Sequence, residues 1–506
     1  MLTKSFTFRN IFILSVLFRL IAVVFSKGFA FQDDHFETIE IAYKWLHHLP
    51  FTQNGEVYIF NLLYVGLHYI LLWGCEFLHI LDPQKQMIVV RFFHAAFSLL
   101  TVYYGYKIAL LLTKKNTTNE SGFLKNKTPE IVAFILGLFW IFPFMSVRSL
   151  REFFSIPFLV IGFYLVVKHQ NKKQEVNTNR YSISPILFAA FFMALAFIIR
   201  LQTIFFPAGI VLYFFYKKKW KLGFLFGLFF LLILSCTQFL FDYCYWGNPF
   251  ASLIAYVKYN AVNYKDYPNG AWYKYILTIA GLLLFPSSIL FVVGYFKNIK
   301  DKLILFLPSF LFIAFHSYFP NKQERFILTF FPFLIILGVL GFADIYASNI
   351  HKKWFKVFYK VCIAWFIAIN SIGLIVVSFA YSKKSRIESM VYLSKKNDFK
   401  NVIIEGNEGM QLAPIFYFGK PLNYFEISPD NSFEQFKHQL EISSKPKPNY
   451  IIFQGANNLE ARVAQIKILY PTIKEEAILQ SSFVDNIAYY LNPKHNVNES
   501  WFIFKL

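Results

Sequence analysis

Apolar runs of roughly 15–25 residues follow one another through the first 380 or so positions of this chain, the length a helix needs to cross about 30 Å of hydrocarbon. Inside such a layer no water satisfies a backbone N–H or C=O, so each run has to fold as a helix. Charged residues are 16% of the 506, where soluble domains carry about 25%. The pattern argues against an aqueous globular fold and predicts a polytopic α-helical membrane protein. Spans are expected near residues 11–25, 88–112, 130–144, 153–168, 183–200, 204–216, 222–242, 276–296, 303–318, 326–345 and 358–380. The first has Lys4 and Arg9 before it and no small-residue cleavage site after it, which reads as a retained span.

Orientation follows from the cations. The formal charge of +21 sits largely in short loops: Lys172 with Lys173, Lys217 to Lys219 with Lys221, Lys297 to Lys302, Lys352 with Lys353. Translocating such loops is disfavoured, so they belong in the cytoplasm together with the N-terminus. This accounts for the basic balance without a nucleic-acid partner. The apolar stretch Val57 to Leu81 is long enough to span, but parity makes Tyr58 to Leu81 interfacial or re-entrant, beside the first outer loop, since one more crossing would break the pattern. About eleven spans result, with the C-terminus outside, in a plasma (bacterial inner) membrane. The sequons at Asn116 and Asn126 fall in a cytoplasmic loop and carry little weight. Cys75, Cys236, Cys244 and Cys362 stand singly, with neither metal-ligand nor disulfide spacing.

Composition changes after Tyr381. We take residues 1–383 as the membrane domain and 384–506 as a small extracytoplasmic α/β domain. The latter's short apolar runs (Val402–Ile404, Tyr450–Phe453, Trp501–Phe504) alternate with helix-like Ser432–Leu440 and Asn458–Leu469.

Four polar clusters fall on one side of the membrane by this parity: Gln32 to Glu37 with Glu40, Arg148 to Glu152, Asp242 to Tyr275, and Asn321 to Arg325. Charge beside a span is expensive and marks candidate function. A carboxylate such as Asp33 or Asp34 can take a proton from an attacking hydroxyl. Cations such as Lys322 and Arg325, with Arg148 and Arg151, can stabilise charge growing on a departing phosphate. The set suits group transfer from a phosphate-linked donor. Each cluster also has a plain reading. An acidic patch solvates a loop, Lys322 and Arg325 can snorkel to headgroups, Glu324 can pair with Arg325, Arg200 can mark an interface, and Trp246 and Trp272 fit an aromatic belt.

In order and in residue type these clusters resemble the GT-C superfamily, and within it the polyprenyl-phosphate-mannose-dependent α-mannosyltransferases of GPI-anchor and N-glycan assembly. Their first-loop motif H-P-D-E-x-F-Q-x-x-E is matched by the two acids, the Phe and the closing Glu of Phe31-Gln32-Asp33-Asp34-His35-Phe36-Glu37-Thr38-Ile39-Glu40. Their H-K-E-x-R-F is met by Asn321-Lys322-Gln323-Glu324-Arg325-Phe326, with the opening His and the acid replaced. Asp242 to Gly247, Lys258-Tyr259-Asn260, and Trp272 to Tyr275 are similar to the family's D-x-x-x-Y-G, F-N and W-H-x-Y elements. Arg148-Ser149-Leu150 is similar to R-T-L, followed here by Arg151-Glu152. The resemblance covers about residues 10–345 and leaves the C-terminal domain outside.

The resemblance implies an inverting hexosyltransferase that moves a sugar, mannose by family precedent, from a polyprenyl-phosphate to a glycan or glycolipid acceptor on the outer face. Asp33 is implied as the base with Asp34 beside it. Lys322, Arg325, Arg148, Arg151 and Arg200 are expected on the donor phosphate. Glu37, Glu40, Glu152, Asn260, Trp272, Tyr275, Asn321 and Glu324 are expected to line the substrates. No cofactor or metal is expected, although Asp33 and Asp34 have the chemistry to ligate one. Two rivals stay open: a transporter or flippase of lipid-linked glycans, against which stands the lack of a repeat between halves, and a polymerase or ligase, for which the largest later outer loop, near 243–275, lies mid-chain.

Overall fold

The computed structural model describes the chain except residues 1–5, 53–55, 114–122, 176–181, 264–268, 407–410, 428–432 and 494–495. The sequon at Asn116 and the helix start expected at Ser432 lie outside the described residues. Packing divides the chain into two compact units, one of residues 1–20, 52–66 and 92–376, the other of 21–51, 67–91 and 377–506. Composition changes near 384, but by packing the acidic first loop groups with the C-terminal residues.

Among the described residues six helices are long and apolar enough to cross a membrane: Phe8–Phe25, Pro83–Leu112, Arg151–Asn171, Trp220–Trp246, Glu324–Asn349 and Lys353–Ser378. Six shorter apolar helices accompany them, among them Leu62–Phe77 in the stretch expected to be interfacial. The first unit is built around Phe331–Asn349, whose residues from Phe331 to Ala343 are all buried. A helix apolar all round has no face to give to solvent and takes the centre.

Ser288–Lys297 lies against this central helix with Gly294 facing Gly338 and Gly341. A Cβ at Gly294 or Gly341 would collide with the partner's backbone. Small residues of this kind let membrane helices approach closely, where van der Waals contact replaces a hydrophobic drive.

Two expected spans are broken. The run 130–144 is Thr128–Leu138 followed by Ile141–Met145, with Phe139 extended between them. The break leaves backbone groups open, and Asn370 serves both sides: its Oδ1 accepts from Trp140 N (2.8 Å) and its Nδ2 donates to Leu138 O (2.9 Å). The run 276–296 is Lys274–Leu282 followed by Ser288–Lys297. Pro286, after a cis bond, interrupts it and has no N–H to continue a helix.

The second unit contains the loop that follows Phe8–Phe25, the helix Glu40–Leu46, and a five-stranded sheet. Its strands are β1 (Val402–Glu405), β2 (Phe425–Ile427), β3 (Tyr450–Gln454), β4 (Lys474–Leu479) and β5 (Trp501–Lys505), in the order β2-β1-β3-β5-β4. β1 runs parallel to β2 and β3, while β5 is antiparallel to β3 and β4. Ile403, Ile451, Phe453 and Phe504 meet Phe436 and Ile466 of the covering helices in one core. β1 and β3, buried throughout, are the runs that read as continuously apolar.

Candidate functional site

The first unit gathers guanidiniums at one end of its helices. Arg151 and Glu152 open the helix Arg151–Glu175, and a carboxylate in a first turn is favoured by the helix dipole. Arg200 follows the last residue of Ser184–Ile199, the end where a cation is favoured. Glu152, almost wholly buried, forms an ion pair with Arg200, its carboxylate 3.0 Å from Arg200 Nη2 and 3.8 Å from Arg325 Nε. Arg151 donates to the Tyr58 hydroxyl (2.7 Å) and stacks over Phe60 at 3.7 Å. Arg148 lies over Phe144, and Arg200 over Phe326. Arg148, Arg151 and Arg325 are all buried. Guanidiniums so placed present a rigid fork suited to phosphate.

The segment Asn269 to Tyr275 docks onto the loop 320–323. Asn269 pairs with Asn321, Gly270 N–H donates to Pro320 O, and Tyr275 Oη donates to Gln323 O (3.1 Å). Two clusters some fifty residues apart in sequence are thereby brought together. Lys322 ends the helix Leu303–Tyr318: its ammonium donates to the carbonyls of His316 (2.7 Å), Ser317 (2.8 Å) and Phe319. Those are carbonyls a helix terminus leaves open. Burial, with Lys274 nearby, pulls the Lys322 ammonium below the usual lysine range. Arg325 Nε donates to Gln323 Oε1 (2.8 Å).

Other expected residues lie elsewhere or serve the scaffold. Glu324 is exposed and pairs with Lys274 at 3.2 Å. Trp272 is exposed, Tyr275 fully buried. Asn260 Nδ2 donates to Tyr256 O of its own helix. Asp242, fully buried, accepts from Gln238 Nε2 (2.7 Å), Ser252 N (2.9 Å) and Ser252 Oγ (2.9 Å), which fixes the start of Ala251–Asn263.

In the second unit, Gln32–Asp34 begins a helical turn that widens to a π-helix over His35–Ile39 and closes into Glu40–Leu46. Asp33 is exposed and Asp34 buried, so the two adjacent carboxylates have opposite surroundings. Glu37 is half-buried on the π turn. Glu40 is buried; its Oε1 accepts from Phe416 N (2.9 Å) and lies 3.3 Å from His35 Nε2. Among the described residues no three His, Cys, Asp or Glu side chains gather as a metal-ligand set.

Two cations of this unit were not singled out from sequence. Arg91 is 1% exposed in the helix Pro83–Leu112, with Nε and Nη2 buried and lacking a hydrogen-bond partner among the described residues. Its signal, a charge inside an apolar run, was present. Arg386, also buried, lies in a segment of ordinary polarity that gave no such signal.

Comparison with known proteins bears on what this site does. The Alg9-like mannosyltransferase family matches residues 10–405. Over 153 residues the chain is 29% identical to the probable Dol-P-Man:Man(7)GlcNAc(2)-PP-Dol alpha-1,6-mannosyltransferase of Schizosaccharomyces pombe; the stretch is 29% of this chain and only 28% of that relative. Among solved structures, ArnT from Cupriavidus metallidurans bound to undecaprenyl phosphate shares the fold with a TM-score of 0.60 at 10% identity, over 97% of both chains. The Archaeoglobus fulgidus oligosaccharyltransferase does so at 0.54 and 11% identity, over 89% of this chain and 70% of its own. The matched family covers most of the residues that form both polar sets, so the chain belongs to the Alg9-like mannosyltransferase family.

Proposed function

We propose that this glycosyltransferase moves a hexose, mannose by family, from a polyprenyl-phosphate donor to a glycan or glycolipid hydroxyl on the extracytoplasmic face, inverting the anomeric carbon. The acceptor hydroxyl gives its proton to Asp33 as its oxygen bonds to C1. The C1–O bond to phosphate breaks, and its electron pair stays on the departing polyprenyl phosphate. Arg148, Arg151, Arg200 and Arg325 bind that phosphate, and Lys322 adds charge from its cap position. The observation that carries the reading is the gathering of these guanidiniums at one end of the membrane unit, with Glu152 bridging Arg200 and Arg325. Asp33, the exposed member of the acid pair, is the one an acceptor can reach. The undecaprenyl phosphate in ArnT and the dolichol-linked mannose in the yeast relative's name support a lipid-phosphate donor. The reaction so written uses no metal.

The test is transfer from radiolabelled polyprenyl-phosphate mannose into endogenous glycolipid, in membranes carrying wild-type or Asp33→Asn protein at matched expression. Loss of a general base should lower transfer roughly a hundredfold or more. Equal, low incorporation in both would overturn the donor assignment.

A further inference from the structure

The helical turn that carries the acid pair, together with the π-helix that follows it, is gripped by C-terminal residues of its own unit, and the grip has three parts. First, the loop is zipped at its start. Ser382 N donates to Lys27 O (3.1 Å), Ser26 Oγ donates to Val377 O (3.2 Å), and Gly28, at φ +79°, approaches Ser382 so closely that a Cβ would strike its carbonyl. Second, Arg386 reaches into the turn. It lies over the rings of Phe29 (5.3 Å) and Phe36 (5.8 Å), with Nη1 and Nη2 3.5 and 3.4 Å from Gln32 Oε1, while Nη2 also donates to Leu412 O (2.5 Å). Third, the short helix Ile415–Phe418 closes over the far side. His35 stacks between Phe29 (4.7 Å, 11°) and Tyr417 (5.4 Å, 18°), and Phe416 N donates to buried Glu40.

A π-helical turn is rare and is frequently found at functional sites. Here residues on both sides of Asp33 and Asp34, namely Gln32, His35, Phe36 and Glu40, are held, and Asp33 is exposed.

We infer that the C-terminal domain is a positioning element for transfer: Arg386 and the turn Phe416–Tyr417 hold Gln32–Glu40 in the shape that sets the Asp33 carboxylate. Arg386 is a positioning residue, acting through the loop. The inference rests on Asp33 as the base.

The experiment uses full-length protein in detergent–lipid micelles with polyprenyl-phosphate mannose as donor, and compares wild type with Arg386→Ala, Arg386→Lys, Gln32→Leu and Lys396→Ala. Lys396 pairs with Glu476 at the exposed surface of the same domain and serves as the control. Misplacing a reacting group by about 1 Å costs up to about a hundredfold, so Arg386→Ala should lower kcat about tenfold to thirtyfold while donor KM stays within about twofold. Gln32→Leu should lower it by less, Arg386→Lys should recover part of the rate, and Lys396→Ala should match wild type. Amide exchange should quicken over residues 29–46 in Arg386→Ala and stay slow in β1 and β3. Wild-type kcat in both Arg386→Ala and Gln32→Leu, in a protein that Asp33→Asn inactivates, would overturn the inference. If Arg386→Ala also loosens the sheet, Gln32→Leu decides, because it removes the contact from the loop side. If wild type transfers nothing from this donor, the functional reading fails instead. The exchange measurement then still decides the grip, and unchanged protection of 29–46 in both variants would refute it.

Discussion

Glu152 has two guanidiniums within 4 Å and almost no contact with water, which makes it the residue whose loss should be felt most broadly. Breaking a buried ion pair by removing one partner leaves the other charge uncompensated and costs about 3–5 kcal/mol. Glu152→Ala is therefore expected to lower stability by about 3 kcal/mol, read as an earlier thermal transition in detergent. Glu152→Gln, which keeps an acceptor for Arg200, should lose less. Arg325 poses a different question, because lysine keeps the charge but not the planar fork. Arg325→Lys should raise donor KM about tenfold with little change in folding, and an unchanged KM would remove Arg325 from the phosphate set. Lys383 provides a pH probe outside the spans. Burial, reinforced by Arg386 and opposed by Asp485, pushes its ammonium down to about 8 from 10.5. Between those values the unfolded chain keeps a proton that the folded one has released, so stability rises with pH. The contribution is complete above 10.5 and lost as pH falls toward 8. Wild type should gain thermal stability from pH 8 to 10 relative to Lys383→Met, and a constant difference between the two would contradict the burial.

At the scale of elements, the contact of Ser288–Lys297 with the central helix sets the packing of the first unit. Gly294→Ala would drive a methyl into the backbone at Gly338, and overpacking of this kind costs about 1–3 kcal/mol. Lower yield of folded protein, and an earlier transition for what survives, is the expected outcome; wild-type behaviour would mean the helices can part without loss. This contact also marks where reading the sequence stopped. The apolar runs were legible because a membrane helix must satisfy its own backbone, and β1, β3 and β5 were legible because buried strands are apolar on both faces. Hydropathy could not show the break at Phe139, because Asn370, which repairs it, lies 230 residues away. The candidate site divided in the same manner. Arg151, Arg200 and Arg325 announced themselves as charges beside apolar runs. Lys322 kept its motif register but not its freedom, since three carbonyls hold its ammonium. The hold on Glu40 by Phe416, 376 residues on, left no local trace at all.

For the whole molecule, the first unit is electrically lopsided along its helices. At one end lie Glu152 and the guanidiniums. At the other, Lys125, Lys217, Lys219, Lys297, Lys300 and Lys302 surround a cavity of about 790 Å³, with Asp301 and Asp344 as the lining carboxylates. Loops expected on one side of the membrane from their charge alone do meet at one end in space. We propose, from the positive-inside bias, that this end faces the cytoplasm. The opposite end, with the cations proposed to bind the donor phosphate, then works on the other face. The assignment is testable without assuming anything about the reaction. In a cysteine-free background, Lys300→Cys should react with a membrane-impermeant maleimide only after permeabilisation, whereas Lys396→Cys, in the C-terminal domain, should react in intact cells. Labelling of Lys300→Cys in intact cells would turn the molecule over and move the transfer to the cytoplasmic face. The donor would then be a lipid phosphate presented on that side, and the guanidinium set would keep its chemistry while losing its compartment.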